Sequence, residues 1–198
     1  MNFDNKYLNY WKNRVEKSTD GTRIPSPNDF KPFINNLKLS SKSKILDLGC
    51  GFGRFFPILS KISKDVHGFD ISQDMLDDAV KNYKYNSLTK GDSKNLKFSD
   101  NYFDFVFCVG LFDVIDQENT LKEINRVLKN GGKVLFTGKN INYSFNDKLA
   151  LRAEKNCFLK NFNLSFTDLK ILIEHLNKYG FEINHKSIFE KRGDFAKK

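Results

Sequence analysis

The residues best suited to chemistry form one run, Asp47-Leu48-Gly49-Cys50-Gly51-Phe52-Gly53-Arg54. Glycine is needed where a backbone turns with positive φ or where a ligand must touch the main chain. A helix starting beyond such a loop offers unpaired N–H groups and a partial positive charge. A dinucleotide-binding loop reads GxGxxG; here the glycines alternate at 49, 51 and 53, and Arg54 stands where that pattern has its last glycine. Asp47 ahead of the loop would repel a pyrophosphate and attract an ammonium or sulfonium group. The run favours a cationic ligand and disfavours an NAD-type oxidoreductase. Arg54 works against the dipole of a helix's first turn, which points to an anionic contact, but a head that reaches solvent is the favoured reading.

These residues need strands and helices to position them. From residue 43 strand and helix signals alternate, which predicts a parallel sheet covered on both faces. Ile45–Leu48 is a short buried strand, followed by the glycine loop and a helix through Phe55, Phe56, Ile58 and Leu59. Val66–Asp70 is the second strand, and Ser72 starts a helix with Met75, Leu76 and Val80. Ser87–Lys90 is a third strand, and Phe103–Val109 a fourth whose near-continuous apolar run suits burial on both faces. A helix through Leu121, Ile124, Val127 and Leu128 stops before Asn130-Gly131-Gly132, and Lys133–Phe136 is the fifth strand. Thr167 caps a helix ended by Gly180, and Phe181–Phe189 alternates as a sixth strand. Ahead of this core, residues 3–17 put Phe3, Tyr7, Tyr10, Trp11 and Arg14 on one helical face. Ser26 and Pro27 open a second helix with a stripe of Phe30, Phe33, Ile34 and Leu37. The expected fold is α/β: a doubly wound, mostly parallel sheet of six to seven strands with helices on both faces and an N-terminal helical extension. One domain fills residues 1–198, with a helical cap over 1–40, a cofactor-binding core over 41–140 and a substrate-side segment over 141–198.

Composition narrows the function classes. With 39% hydrophobic residues and 20 phenylalanines, the chain has the material for a core and is not largely disordered. No apolar run approaches the roughly 20 residues of a membrane span, and the start, Met1-Asn2-Phe3-Asp4-Asn5-Lys6, lacks the apolar stretch of a secretory signal. Cys50, Cys108 and Cys157 are odd in number and far apart, which suits a reducing cytoplasm and excludes zinc ribbons and CxxC redox sites. A cytoplasmic location is expected. The net charge is +9, but the lysines are spread along the chain and no block of five like charges occurs, so a generally basic surface is favoured over a polyanion site. His67, His175 and His185 have no metal-ligand spacing, and no metal is expected.

The stretch Ile45–Arg54 resembles the first motif of class I S-adenosylmethionine-dependent methyltransferases, and the segments downstream agree in order. Five such segments lie over about residues 40–140, each at an expected strand end. The resemblance implies S-adenosyl-L-methionine as cofactor. It implies that Asp47, Gly49, Cys50, Gly51 and Gly53 form the loop under that cofactor, and that Asp70 accepts hydrogen bonds from both ribose hydroxyls. Ile71 and Met75 would pack on the adenine, and in Gly91-Asp92-Ser93 the acid would accept from the adenine amino group. Phe103–Val106 resembles the fourth-strand motif, with Val109 and Gly110 beside the methionine moiety. Leu128–Leu135 is similar to the family's L-K-P-G-G turn, Asn130 replacing proline. Trp11, Arg14 and Arg54 are candidate lid or carboxylate contacts.

Family members often carry a histidine after the fourth strand. Here the stretch is Leu111-Phe112-Asp113-Val114-Ile115-Asp116, so Asp113 is the candidate general base. Its bland alternative is a helix-capping acid. Beyond the sixth strand little chain remains, so a seventh strand is expected to be short or absent. The expected activity is methyl transfer to an O or N of a small-molecule acceptor. The alternatives are an RNA- or protein-directed methyltransferase and a non-catalytic protein that binds the same cofactor. No membrane partner is expected.

Overall fold

The computed structural model describes residues 26–142 and 166–188, with the separate positions 147, 148, 152 and 155. The expected helix at 3–17, and with it Trp11 and Arg14, lies outside the described residues. Among the described residues no helix is long and apolar enough to cross a membrane.

Five strands form one sheet: β1 Lys44–Leu48, β2 Asp65–Asp70, β3 Ser87–Lys90, β4 Phe103–Cys108 and β5 Leu128–Phe136. Their order is β3-β2-β1-β4-β5 and all four pairings are parallel. The chain winds outward from β1 in one direction to β3, then returns to β4 on the other side. That reversal leaves a crevice at the carboxyl ends of β1 and β4, where loops from neighbouring strands diverge.

Helices among the described residues include α1 Lys31–Asn35, α2 Phe56–Leu59, α3 Gln73–Asn82, α4 Gln117–Val127 and α5 Leu169–Lys178. Two apolar layers flank the sheet, as alternation along buried strands requires. On one side Leu46, Leu48, Val106 and Cys108 meet Leu121, Ile124 and Val127 of α4 and Leu172 and Leu176 of α5. On the other, Ile45, Val66, Phe105 and Phe107 meet Phe30 and Ile34 near α1 and Phe55, Ile58 and Leu59 around α2. Phe30, Phe55 and Phe107 interlock edge to face with ring centres 4.9–5.6 Å apart. Such pairs add roughly 0.5–1.5 kcal/mol each beyond their area burial.

Local signals place most boundaries. Ser26 and Asp29 form the capping box of the turn Pro27–Phe30 that leads into α1. The Ser72 side chain accepts from the Met75 amide and caps α3, and Asp116 does the same for α4 through Asn119.

Four expectations need correction. Residues 181–188 form no strand: from Glu182 to Ile188 they are exposed, and no strand among the described residues pairs with them; Phe189 lies outside the described residues. The sheet accordingly has five strands among the described residues, against the expected six to seven. The cap of α5 is Asp168, which accepts from the amides of Lys170 and Ile171, whereas Thr167 makes a parallel bridge with Asn140. Finally, β5 begins at Leu128, five residues early: Phe103 pairs with Leu128 and Phe105 with Lys133, a register shift that accommodates Asn130-Gly131-Gly132 inside the strand.

Candidate active site

The glycine loop leaves β1 and crosses the end of β2. The amides of Gly49 and Cys50 both donate to the Phe69 carbonyl, at 2.8 and 3.2 Å, which ties the loop to the neighbouring strand. Gly49, Gly51 and Gly53 have φ of 74°, 54° and 86°, a region L side chains rarely enter. At Gly53 a Cβ would also lie 2.5 Å from the Tyr83 ring. Here both conformation and space demand glycine.

Asp70, at the end of β2, faces the same crevice. One carboxylate oxygen accepts from the Gly51 amide and the other from the Ser72 amide, both at 2.9 Å. The acid thus clasps the loop to the start of α3. Burial raises its pKa, opposed by the amides of Ser72, Gly51 and Ile71. A carboxylate has about four lone-pair directions, so these bonds leave acceptor capacity for further donors.

Asp47 behaves differently. It is 2% exposed near the end of β1 and does not reach the crevice wall. Tyr85 donates its hydroxyl to Asp47 Oδ2 at 2.9 Å. Burial pushes the acid up to about 7, helped by the nearby Asp70 charge and opposed by Tyr85 and Arg54. Arg54 lies over the Phe55 ring at 4.3 Å, and burial lowers it to about 10 against the pull of Asp47. Asp47 is a buried, titratable support for the loop.

The other expected site residues divide in the same way. Gly49, Cys50, Gly51, Arg54, Met75, Val109, Gly110 and Asp113 line the crevice with Asp70. The Met75 thioether lies under the loop, 3.8 Å from where a Gly51 Cβ would be. Around Gly110, φ 75°, nothing would touch an added Cβ within 4 Å, so the backbone after β4 opens into the crevice. Gly53 packs against Tyr83. Ile71 is 41% exposed. Asp92 is exposed, accepts from the Lys94 amide and pairs with the Lys94 ammonium at 3.6 Å, while Ser93 is buried against Thr120 of α4 at 2.9 Å. Neither reaches the crevice. Cys50 and Cys108 are buried, and burial raises both thiols well above their ordinary value. Among the described residues no cluster of His, Cys, Asp or Glu could hold a metal ion.

Asp113 sits in a single turn, Phe112–Val114, at the crevice wall. It accepts from the Lys139 amide through Oδ1, and its Oδ2 lies 3.7 Å from the Lys139 ammonium. Sequence reasoning did not single out Lys139 or Tyr85. The only signal was positional: Lys139 follows β5, the neighbour of β4, and parallel pairing brings the two strand ends together although 26 residues separate Asp113 from Lys139.

Comparison with known proteins agrees with this geometry. Residues 46–136 match the family model described as a methyltransferase domain. A demethylmenaquinone methyltransferase of Staphylococcus saprophyticus is 40% identical over 112 residues, covering 53% of this chain and 48% of that protein. The namesake from Lactobacillus johnsonii is 40% identical over 114 residues, covering 52% and 47%. The chain spans about half the length of the curated relatives it matches. Among solved structures, a SAM-dependent methyltransferase from Thermotoga maritima, a possible histamine N-methyltransferase by name, superposes with a TM-score of 0.66 at 25% identity, over 90% of this chain and 79% of that one. By the matched segment and by its fold, the chain is similar to class I, Rossmann-like S-adenosylmethionine-dependent methyltransferases.

Proposed function

We propose that the protein transfers a methyl group from S-adenosyl-L-methionine to a small-molecule acceptor bound beside Gly110 and Asp113. The observation that carries this reading is the convergence of Asp70, the glycine loop and Met75 on one crevice. The residues present fit the donor: Asp70 retains acceptor capacity for a ribose diol, Met75 offers a soft apolar surface to a ring, and Gly110 keeps its backbone open. The donor supplies a methyl group activated by its positively charged sulfur.

What the chain itself contributes is position. Asp70, fixed by two amides, would orient the ribose; the loop would hold the amino-acid end; and the apolar walls around Leu111 and Val109 would exclude water. Alignment of two reactants can supply roughly 7–11 kcal/mol of a barrier. The names of the relatives support a small-molecule acceptor. The net charge of +9 favours a second reading, an acceptor carried on RNA; steeply salt-dependent RNA binding would identify it.

The test is calorimetry with S-adenosylhomocysteine. Unmodified protein binds it, and Asp70→Ala weakens binding at least about tenfold through loss of charge-assisted hydrogen bonds. Equal heats for the two proteins, or none for either, would refute the proposal.

A further inference from the structure

Asp47 is an acid set behind the glycine loop with no cation bonded to it. By alternation along β1 it shares a face with Ile45, so its side chain enters the aromatic layer that contains Phe55, Phe107 and Tyr85. Gly68 and Phe107 are its neighbours on the flanking strands. Tyr85 is its one hydrogen-bond partner among the described residues, and Asp47 forms no ion pair there. The other charged or titratable groups around it are Asp70 at the end of β2, Arg54 ahead of α2, Cys50 in the loop and Cys108 on β4. Two residues beyond Asp47 the chain reaches Gly49 and then Cys50, both of which line the crevice.

We propose that Asp47, acting through the glycine loop, selects the positively charged donor over the neutral product left after methyl transfer. The assignment rests on the methyltransferase reading and makes Asp47 a specificity-determining residue that touches neither ligand. S-adenosylmethionine and S-adenosylhomocysteine share their adenosine, amine and carboxylate, and differ by one methyl group and the charge it places on sulfur. Groups that meet the shared parts, Asp70 included, hold both ligands through the same atoms. A fixed charge nearby tells them apart. Two residues of extended chain span at most about 7 Å, so a cation resting on the crevice floor is on the order of 10–15 Å from the Asp47 carboxylate. At an effective dielectric of about 20, opposite unit charges that far apart attract by an amount equal to about tenfold in affinity.

The attraction exists only while Asp47 is ionised. Burial raises its pKa to about 7, so near neutral pH the acid is divided between its two forms. A bound cation favours the ionised form and expels a fraction of a proton, whereas the neutral product does not. Discrimination should therefore rise as pH climbs through about 7 and be absent well below it. Arg54, lowered to about 10, stays charged over this range, and Tyr85 and both thiols stay protonated. Asp70 also titrates, but it is present in both proteins compared below.

The test needs no turnover. The full chain and Asp47→Asn are titrated by calorimetry with S-adenosylmethionine and with S-adenosylhomocysteine, at about pH 5.5 and about pH 8. At the higher pH the ratio of donor to product affinity should be at least about threefold greater in the unmodified protein. At the lower pH the two proteins should agree. Repeating the titrations near pH 7 in two buffers of different ionisation heat counts protons. The donor should release more than the product, and the difference should vanish in Asp47→Asn. Tyr85→Phe removes the hydroxyl that steadies the carboxylate, so its rise in the ratio should move to higher pH. A ratio at pH 8 unaltered by Asp47→Asn, or equal proton release for the two ligands, overturns the proposal. If Asp47→Asn loses product binding altogether, Tyr85→Phe decides, and an unshifted ratio overturns it too. Unmodified protein that binds neither ligand would instead refute the methyltransferase reading, and this assignment with it.

Discussion

Asp47→Asn should make the protein more stable above neutral pH and flatten the pH dependence of its stability. The acid is 2% exposed and its pKa is about 7, against an ordinary 3.8. The folded state thus holds the proton more tightly than the unfolded chain. The stabilisation tied to that proton is complete below about pH 4 and declines as the unfolded chain ionises. It is lost once pH passes the folded value near 7. The span between the two values corresponds to roughly 4 kcal/mol. Asparagine carries no charge, and its Oδ1 still accepts from Tyr85 at the same position, so this loss disappears. Asp70 is shifted in the same direction, so the variant's curve should be flatter than the wild-type curve without becoming level. The assay is urea unfolding followed by circular dichroism at intervals from pH 4.5 to 8.5. The two proteins should nearly coincide at the acid end and separate by a few kcal/mol at pH 8.5, Asp47→Asn being the more stable. Parallel curves across the whole range would show that Asp47 ionises normally, and the account of a buried neutral support under the loop would be wrong.

Other perturbations test the remaining parts of the framework. Gly53→Ala should lose roughly 2–3 kcal/mol, since it combines a φ of 86° with a clash against the Tyr83 ring, and thermal unfolding would reveal it. Asp70→Ala should reduce S-adenosylhomocysteine affinity at least about tenfold in calorimetry. Arg126→Met removes the donors that reach the Leu96 and Phe98 carbonyls and the Glu123 carboxylate, and should lower stability by about 2–4 kcal/mol in urea unfolding while leaving S-adenosylhomocysteine binding intact. Phe107→Ala should cost about 3–5 kcal/mol, because the ring is fully buried between Phe30 and Phe55.

The amino-acid order by itself determined the alternation of β1 to β5 with their helices, because continuous apolar runs and amphipathic stripes are local signals. It likewise determined the loop at 49–53, because only glycine enters those backbone regions cheaply. The resemblance to methyltransferases marked Asp70 and Asp113 as candidates, each at or just beyond a strand end. Tertiary structure decided what surrounds each acid, and with that its chemistry. Asp47 looked like a charge offered to a ligand; packing under Tyr85 sets it behind the wall with an elevated pKa. Asp92 looked like part of the same row of strand-end acids, yet its turn directs it to Lys94. Residues 181–188 carry a strand's alternation, yet among the described residues no neighbouring strand completes it. The pairing of Asp113 with Lys139 has no local signature, because it depends on two adjacent parallel strands ending side by side. Periodicity and backbone preference act over a few residues and can be read along the chain, whereas desolvation and charge pairing depend on which distant segments come to lie together.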